Sequence, residues 1–492
     1  MVSGGILGKH WVQVAFAFFL DATIICTAFM LGTAIRFKGA EFWFKLGEYG
    51  PSIAAGALFF SSANYVFALY EPSSIFSGKF RRSLLLFASL CLSIGFMFAM
   101  FYGNYSGRIG RGVMLVSIPA AYALTLIHHA SIYRRLRSIR DRIAFILTCE
   151  ADELELPILM RMSAINLDLA GVVTVPGYTP SHDVQVLGSI KDLSTIAEKH
   201  NISRVVCTNF NLDAPGLFNQ YCRLRYAGVN VMPLVNLVEE TFQLIPLELV
   251  TSEWLLNASA GPGFFYIRKL KRAFDIITSL LGLVFLGPLL LIGMLWVKIV
   301  SPGPVFYRQV RSGRFAKPYE VIKLRSMRLD AEKQGAQWAA KDKDPRVFPG
   351  GGLLRKYRID EIPQLFNVFK GEMSFVGPRP ERPEFIGDLV RDIPFFRERL
   401  LVQPGITGWA QVNYPYGASV DDARRKLELD LYYMKHMSIV LDLFILLDTV
   451  RIILMGGVGK TTRTSRARRA VDPPPPTEAS REVAKEESAE LR

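Results

Sequence analysis

Cysteine is scarce in this sequence, and the few cysteines are scattered. Five occur among 492 residues, and no two form a C-x-x-C pair: Cys26, Cys91, Cys149, Cys207 and Cys222. A disulfide framework requires paired cysteines, and a zinc site requires closely spaced ligands. We therefore expect neither in this protein.

A glycine-rich phosphate loop is missing from the region whose pattern would need one. Residues 142–240 alternate strand-like and helical segments, as in a parallel doubly wound sheet, with predicted strands Ile143–Thr148, Ala170–Val175, Arg204–Cys207 and Val229–Met232. The first strand-to-helix turn reads TCEADELE and lacks the glycines of G-x-G-x-x-G, which let a backbone approach a pyrophosphate. We predict a Rossmann-like α/β domain over 139–265 with a structural or regulatory role.

Negative charge is in deficit. Lysine and arginine number 58 against 44 acids, for a net charge of +14, and half of all residues are hydrophobic. This balance suits an anionic membrane surface or phosphorylated substrates. The cations cluster at membrane flanks and around a pair of acids, so nucleic acid is not an expected partner.

Long apolar runs fill the first third of the chain, at residues 11–35, 50–70, 84–102 and 112–133. Each can cross a bilayer as a helix, which takes about 20 residues, and no small-residue cleavage site follows the first. We predict a four-helix transmembrane region over 1–138. Basic residues after the second and fourth runs place both segments, and the N-terminus, in the cytoplasm.

A carboxylate, Asp21, interrupts the first of these runs. Intramembrane acids are rare and frequently functional. An interhelix hydrogen bond near the lipid headgroups explains the residue equally well. The sequence leaves both roles open for Asp21.

A fifth apolar segment, residues 273–300, is basic on both flanks: Arg268, Lys269, Lys271 and Arg272 before it, and Arg308, Arg311 and Arg314 after it. The positive-inside rule places both ends in the cytoplasm. We therefore predict a re-entrant helix bent at Gly287-Pro288, where proline removes a helix hydrogen bond. The alternative, a spanning helix, would put residues 301–450 outside the cell.

Near the C-terminus the stretch MGGVGKTT, residues 455–462, has the letters of an ATPase phosphate loop. Such a loop must follow a buried strand and open a helix. Here it follows residues 438–454, which we predict to be an interfacial helix because charged residues interrupt its apolar run. It precedes a charged, proline-rich tail, 457–492, which we predict to be disordered. The glycines are therefore expected to end a helix rather than bind a nucleotide.

A pair of adjacent acids lies in LLRKYRIDEIPQLFNVFK, residues 353–370. The apolar residues that follow the acids have helical spacing and predict one buried face: Ile362, Leu365, Phe366 and Phe369. Asp360 is then expected at the N-cap of this helix. Asp360 and Glu361 would lie at a positive helix end, where acids are also common for structural reasons alone.

Cations crowd this acid pair in the sequence and indicate phosphate chemistry. Arg358 lies two positions before the pair, and VIKLRSMR supplies Lys323 and Arg325. The proline after Arg379 restricts this arginine to extended conformations, which presents its guanidinium for bidentate phosphate capture. One carboxylate could act as a nucleophile towards phosphorus, and the other could hold Mg²⁺.

Six stretches occur in a specific order: KRAFDIITSLLGLVFLGPLLL, SPGPVFYRQVRSG, VIKLRSM, DPRV, RIDEIPQLFNVFKGEMSFVGPRPE and QPGITGWAQVNYPYG. Together they resemble the motifs of the bacterial polyprenyl-phosphate phosphoglycosyl transferases, the membrane enzymes that start exopolysaccharide, capsule and O-antigen assembly. The resemblance covers a catalytic domain over 266–456. The N-terminal helices and the α/β domain resemble the long form of that family.

The resemblance implies a mixed α/β, monotopic catalytic domain that works by a ping-pong reaction. Asp360 would attack a UDP-sugar and expel UMP, and undecaprenyl phosphate would then remove the hexose phosphate. Glu361 would assist through Mg²⁺, with both acids as metal ligands. Arg379, Lys323 and Arg358 would bind phosphate.

The resemblance also implies a location and partners. The protein would be a multi-pass protein of the bacterial inner membrane, in contact with lipids, with its catalytic domain facing the cytoplasm. Gly287-Pro288 would form the bend of the re-entrant helix. The sequence leaves open which sugar is transferred and whether the protein is a homo-oligomer.

One stretch departs from the family pattern. FPGGG, residues 348–352, stands where the family usually has a basic sequence with fewer glycines. This departure favours an alternative function, a catalytically altered scaffold or regulator of polysaccharide assembly. The acid pair and its arginine are both present, which favours the enzyme.

Overall fold

A computed structural model describes residues 10–67, 69–70, 79–100, 109–138, 141–149, 152, 156, 159, 167–176, 178–181, 184–208, 217–250, 255, 263–331, 345–414, 417 and 419–455. The chain forms two compact units, one from Met1–Ser138 together with Val238–Val458 and the other from Ile139–Leu237. Most of the TCEADELE turn, MGGVGKTT after Met455 and the predicted disordered tail lie outside the described residues.

Four helices occupy the predicted apolar runs: α1 (His10–Arg36), α2 (Ala40–Val66), α3 (Lys79–Met100) and α4 (Arg111–Ser138). They share a buried core that includes Phe29, Ile53, Phe60, Leu86 and Val113. By length and hydropathy, α1 and α4 could each cross a membrane, and α3 contains a shorter apolar segment. The helical N-terminal region with apolar helices is confirmed, whereas its four membrane spans stay a prediction.

Asp21 ties three of these segments together. Its side chain is fully buried, and its Oδ2 accepts hydrogen bonds from Asn64 Nδ2 at 3.0 Å and Tyr70 Oη at 2.6 Å. His129 Nε2, on α4, lies 2.9 Å from the same oxygen. These contacts support the interhelix hydrogen-bonding role that the sequence left open for Asp21.

The second unit contains a five-stranded parallel sheet of order β3-β2-β1-β4-β5. Its strands are β1 (Asp141–Leu147), β2 (Leu167–Thr174), β3 (Val186–Ser189), β4 (Arg204–Cys207) and β5 (Asn230–Pro233), and the helices α5 (Leu193–Lys199), α6 (Leu217–Tyr226) and α7 (Leu234–Phe242) follow β3, β4 and β5. The predicted parallel sheet is confirmed. The sequence analysis missed β3, a four-residue strand whose Gly188 passes close to Ile196.

The remaining elements begin with a long helix, α8 (Gly263–Val300), and an antiparallel pair, β6 (Phe306–Ser312) and β7 (Pro318–Leu324). Two short helices, α9 (Gly351–Lys356) and α10 (Gln364–Lys370), precede β8 (Ser374–Val376), which pairs in parallel with β9 (Gly405–Thr407). The other helices are α11 (Pro383–Asp392), α12 (Trp409–Asn413), α13 (Val420–Lys435) and α14 (Ile439–Met455).

Helix α8 supports this region on one face and is exposed on the other. Its buried face joins a core with β7, α9 and α10, made of Leu290, Val297, Leu324, Phe348, Leu354, Ile362 and Leu365. Its other face exposes large apolar side chains such as Phe285, Leu291 and Ile292. Residues Tyr266–Val300 are long and apolar enough to cross a membrane, and Pro288 lies inside the helix. The bend and re-entry stay a prediction.

Helix α14 links α8 to the N-terminal helices. Asp442, an acid inside its apolar sequence, is fully buried and pairs with Lys271 of α8. Tyr433 Oη donates to the second oxygen of Asp442 at 2.8 Å. At the other end of α14, Asp448 accepts a hydrogen bond from Tyr65 of α2 at 3.0 Å. The acidic residues that interrupt this apolar segment therefore form polar contacts between helices.

Candidate active site

The acid pair lies in a tight turn between α9 and α10. Ile359–Glu361 forms one turn of 3₁₀ helix, closed by hydrogen bonds from Glu361 N to Arg358 O and from Ile362 N to Ile359 O. Arg358 enters the turn with a φ of 53°, in the left-handed region that non-glycine residues rarely adopt. The prediction that Asp360 is an N-cap is wrong, because this turn ends before α10 begins.

The predicted buried face of α10 is half right. Ile362 and Leu365 are buried, but Phe366 and Phe369 are 45% and 46% exposed. The side chain that fixes the rotation of the helix is polar. Asn367 donates from Nδ2 to Glu320 O at 2.7 Å, and its Oδ1 accepts from Ile322 N at 3.2 Å. These bonds to β7 turn both phenylalanines outward.

Three predicted phosphate ligands converge on Glu361. Lys323 Nζ and Arg379 Nη2 each lie 3.3 Å from Oε1 of this carboxylate. Arg358 Nη1 lies 3.5 Å from Oε2. The cations thus contact Glu361 rather than its neighbour Asp360, although both residues are buried.

The two acids differ in their electrostatic environment. Burial raises the pKa of Asp360 and the adjacent negative charge of Glu361 raises it further, to about 6. Burial also acts to raise the pKa of Glu361, but the positive charges of Lys323, Arg379 and Arg358 outweigh it and lower that pKa to about 2. Opposite shifts in adjacent acids indicate a division of labour.

Arg379 is positioned by its backbone as well as its side chain. It follows β8 through Gly377, where a Cβ would lie 2.4 Å from Gln403 O. Its carbonyl accepts a hydrogen bond from Arg399 Nη2 at 2.9 Å, and the same guanidinium nitrogen lies 2.9 Å from Asp430 Oδ2. The sequence analysis did not find Arg399 or Asp430, because neither lies in a stretch with a recognisable pattern.

Arg325 lies apart from the Glu361 contacts. Its Nη1 and Nη2 donate to the carbonyls of Pro302 and Ser301, at 2.8 and 2.6 Å, and the residue is 4% exposed. These bonds anchor the chain that leaves α8. A phosphate-binding role for Arg325 stays a prediction.

The FPGGG stretch has a steric explanation. Gly350 has a φ of 84°, and a Cβ there would lie 2.7 Å from Trp296 Nε1. A Cβ on Gly351 would lie 2.3 Å from Ser326 O. The two glycines let the chain pass close to α8 and to the segment after β7, so the departure from the family pattern is accounted for by packing.

Several buried polar atoms around the acids have no hydrogen-bond partner among the described residues. They are Gln364 Nε2 and Gln411 Nε2, together with Glu361 Oε2 and Arg358 Nη1, which face each other only as an ion pair at 3.5 Å. Unpaired buried groups are uncommon in native proteins and require an explanation. Within the same described residues, no group of three or more His, Cys, Asp or Glu could hold a metal ion. A cation here would therefore need oxygens from a substrate.

The sequence that forms this site matches a known protein family. The model of the bacterial sugar transferase family matches residues 266–456. An exopolysaccharide production protein of Rhizobium leguminosarum bv. phaseoli is 41% identical over 196 residues, which are 39% of this chain and 98% of that protein. The chain belongs to the bacterial sugar transferase family.

Two further relatives have names that include a substrate. A UDP-N-acetylgalactosamine-undecaprenyl-phosphate N-acetylgalactosaminephosphotransferase of Aeromonas hydrophila is 46% identical over 187 residues, 38% of this chain and 44% of that protein. An undecaprenyl-phosphate glucose phosphotransferase of Komagataeibacter xylinus is 44% identical over 270 residues, 54% of this chain and 51% of that protein. The chain thus spans about half the length of these two relatives.

Proposed function

We propose that this protein transfers a hexose 1-phosphate from a UDP-sugar to undecaprenyl phosphate and releases UMP, as a first step of exopolysaccharide, capsule or O-antigen synthesis. The observation that carries the proposal is the acid pair in which Asp360 has a raised pKa while three cations hold Glu361. The names of the relatives, which include undecaprenyl phosphate, support the same substrates.

The reaction proceeds in two displacements at one phosphorus. A carboxylate oxygen of Asp360 attacks the sugar-bearing phosphorus, the bond from that phosphorus to the UMP oxygen breaks, and UMP leaves with the electron pair. An oxygen of undecaprenyl phosphate then attacks the same phosphorus, and the bond to Asp360 breaks. A carboxylate with a raised pKa is a more basic nucleophile, yet it is largely ionised at neutral pH.

The cations have a role in each displacement. Lys323 lies on β7 and Arg379 follows β8, and both approach the same oxygen of Glu361. A diphosphate bound beside Glu361 would have its negative charge offset by both cations. Arg358, on the other oxygen of Glu361, completes the positive surface. Fixed charges that meet developing phosphate charge are the main source of catalysis in such transfers.

The residues fit Mg²⁺ in the manner of phosphate-handling sites, which use one or two carboxylates together with substrate oxygens. Glu361 Oε2 is buried and, apart from the ion pair with Arg358 Nη1 at 3.5 Å, has no partner among the described residues, so Asp360 and Glu361 are the residues that would hold the ion. Mg²⁺ bound there would offset charge on the phosphate oxygens during displacement.

The membrane arrangement follows from charge and exposure. Basic residues flank α8 on both sides, and its outer face is apolar and exposed. We place α8 as a re-entrant helix bent at Gly287-Pro288, with the acid pair on the cytoplasmic side of the bacterial inner membrane. Phe366 and Phe369, which are also exposed, would then meet the headgroup region.

The α/β unit has a structural or regulatory role in this proposal. Its strand order, β3-β2-β1-β4-β5, is the same as that of the first five strands of a Rossmann fold, whose order is 3-2-1-4-5-6. Its first strand is followed by TCEADELE, without the phosphate-binding glycines.

The test is UMP release by the full chain in lipid nanodiscs that contain undecaprenyl phosphate and Mg²⁺. UDP-glucose and UDP-N-acetylgalactosamine are the first donors to compare, because the relatives differ in their named sugar. Asp360→Asn is expected to abolish release, and chelation of Mg²⁺ is expected to stop it reversibly. Asp388→Asn, the same change at an exposed helix position, is the control. Undiminished UMP release by the Asp360 variant would refute the proposed nucleophile.

A further inference from the structure

Gln411, on α12, has an amide whose orientation is fixed by Arg379. Arg379 Nη1 donates to Gln411 Oε1 at 2.9 Å, while Nη2 of the same guanidinium donates to Glu361 Oε1 at 3.3 Å. A guanidinium has donors and no acceptor, so the amide atom that faces it must be oxygen. The amide nitrogen Nε2 is then directed away from that contact.

That nitrogen is buried and has no partner in the part of the chain that the structure describes. Both of its hydrogens are strong donors, and leaving them unsatisfied away from water is unfavourable. An oxygen acceptor that arrives from outside the protein would satisfy them. Another buried donor without a partner among the described residues, Gln364 Nε2, belongs to the helix that follows the acid pair. Gln411 Nε2 and Gln364 Nε2 are thus two buried donors without a partner in this part of the described structure.

We propose that Gln411 is a substrate-binding residue whose amide nitrogen donates to a phosphate oxygen held by Arg379. The inference rests on the proposed function, since it identifies the phosphate of the uridine nucleotide as the ligand. An anion is the expected acceptor because Arg379, Lys323 and Arg358 make the surroundings positive. Glu361 accepts from Nη2 of Arg379 and Gln411 accepts from Nη1. These two contacts fix the orientation of the guanidinium, so that Arg379 and the Gln411 amide could bind the same phosphate.

If Gln411 served only to position Arg379, its Oε1 would accept the Arg379 hydrogen bond and its Nε2 would donate to nothing. The two roles are separated by measuring UMP affinity for the full-length protein in nanodiscs with Gln411→Met, Arg379→Met and the double variant. If Gln411 contacts phosphate itself, Gln411→Met weakens UMP binding about tenfold or more, both in the wild type and in the Arg379→Met background. If it acts through Arg379, the second substitution has no further effect.

Uridine and a second glutamine complete the experiment. Uridine lacks the phosphate, so its affinity is expected to be the same in the wild type and in Gln411→Met. Gln403→Met is the matched control, because the Gln403 amide donates to Gly371 O at 2.6 Å and is expected to leave UMP affinity unchanged. The proposal is overturned if Gln411→Met adds nothing in the Arg379→Met background, or if it weakens uridine as much as UMP. A failure of the proposed function would appear separately, as wild-type protein that releases no UMP from either donor.

Discussion

Replacing Asp360 with asparagine should stabilise the folded protein at neutral pH while it abolishes transfer. Asp360 is 8% exposed, and burial together with the charge of Glu361 raises its pKa from 3.8 to about 6. The ionised carboxylate is therefore unfavourable in the folded state relative to the unfolded chain. Asparagine has the same shape without the charge.

The magnitude and sign follow from proton linkage. A pKa difference of about 2 corresponds to about 3 kcal/mol. Between about pH 4 and pH 6 the folded state binds more protons at Asp360 than the unfolded state does, so the free energy of unfolding falls as the pH rises. Above about pH 6 the full cost is present. Asp360→Asn should thus be more stable than wild type by about 3 kcal/mol at pH 7.5, and the difference should shrink towards pH 4.

Denaturant unfolding in nanodiscs, repeated from pH 4.5 to pH 8, measures this difference. Burial also raises the pKa of Glu428 to about 7 and of Asp430 to about 6. Those groups titrate in both proteins and cancel in the comparison. Asp388→Asn, at an exposed carboxylate, should change little at any pH. A difference between wild type and Asp360→Asn that is absent or independent of pH would show that the reasoning on Asp360 is wrong.

Two further predictions concern the support of the site. Gly351→Ala should destabilise the protein by about 1–3 kcal/mol, because its Cβ would lie 2.3 Å from Ser326 O, whereas Gly352→Ala, with open space around its Cβ, should be neutral or slightly stabilising; thermal unfolding compares the pair. Arg399→Met should cost about 3–5 kcal/mol because it leaves buried Asp430 unpaired, and adding Asp430→Asn should recover much of the loss in the same assay. Equal effects of the two alanines, or no recovery in the double variant, would contradict these accounts.

The sequence was sufficient for features that depend on local pattern. Apolar runs of helical length became α1 to α4, and four strand-like segments became strands of one parallel sheet. It was less successful where tertiary contacts decide. Phe366 and Phe369 have the spacing of a buried face, but the two hydrogen bonds of Asn367 to β7 fix the rotation of α10. A short polar side chain with long-range partners leaves no periodic signal.

The candidate site divides in the same way. Lys323, Arg358 and Arg379 were identified by residue type near an acid pair, and they do meet at Glu361. Arg325 has the same chemistry and the same sequence neighbourhood, yet its bonds go to the backbone after α8. Charge and proximity along the chain could not separate these cases, because β7 places Lys323 and the later Arg325 in different surroundings. Gln411 was overlooked because a glutamine between apolar residues has no distinctive chemistry until its partner is known.

The distribution of cations between the two acids is the feature that favours the proposed catalytic role over a purely structural one. Glu361 is paired with three cations. These stabilise its ionised form strongly and make it a correspondingly weak nucleophile. Asp360 shares the buried site but not those contacts, so its charge is costly and its basicity is high. If stability alone had shaped this turn, the cations would offset the less stable charge. They contact Glu361 instead, which under the proposed mechanism leaves the lone pairs of Asp360 available for attack on phosphorus.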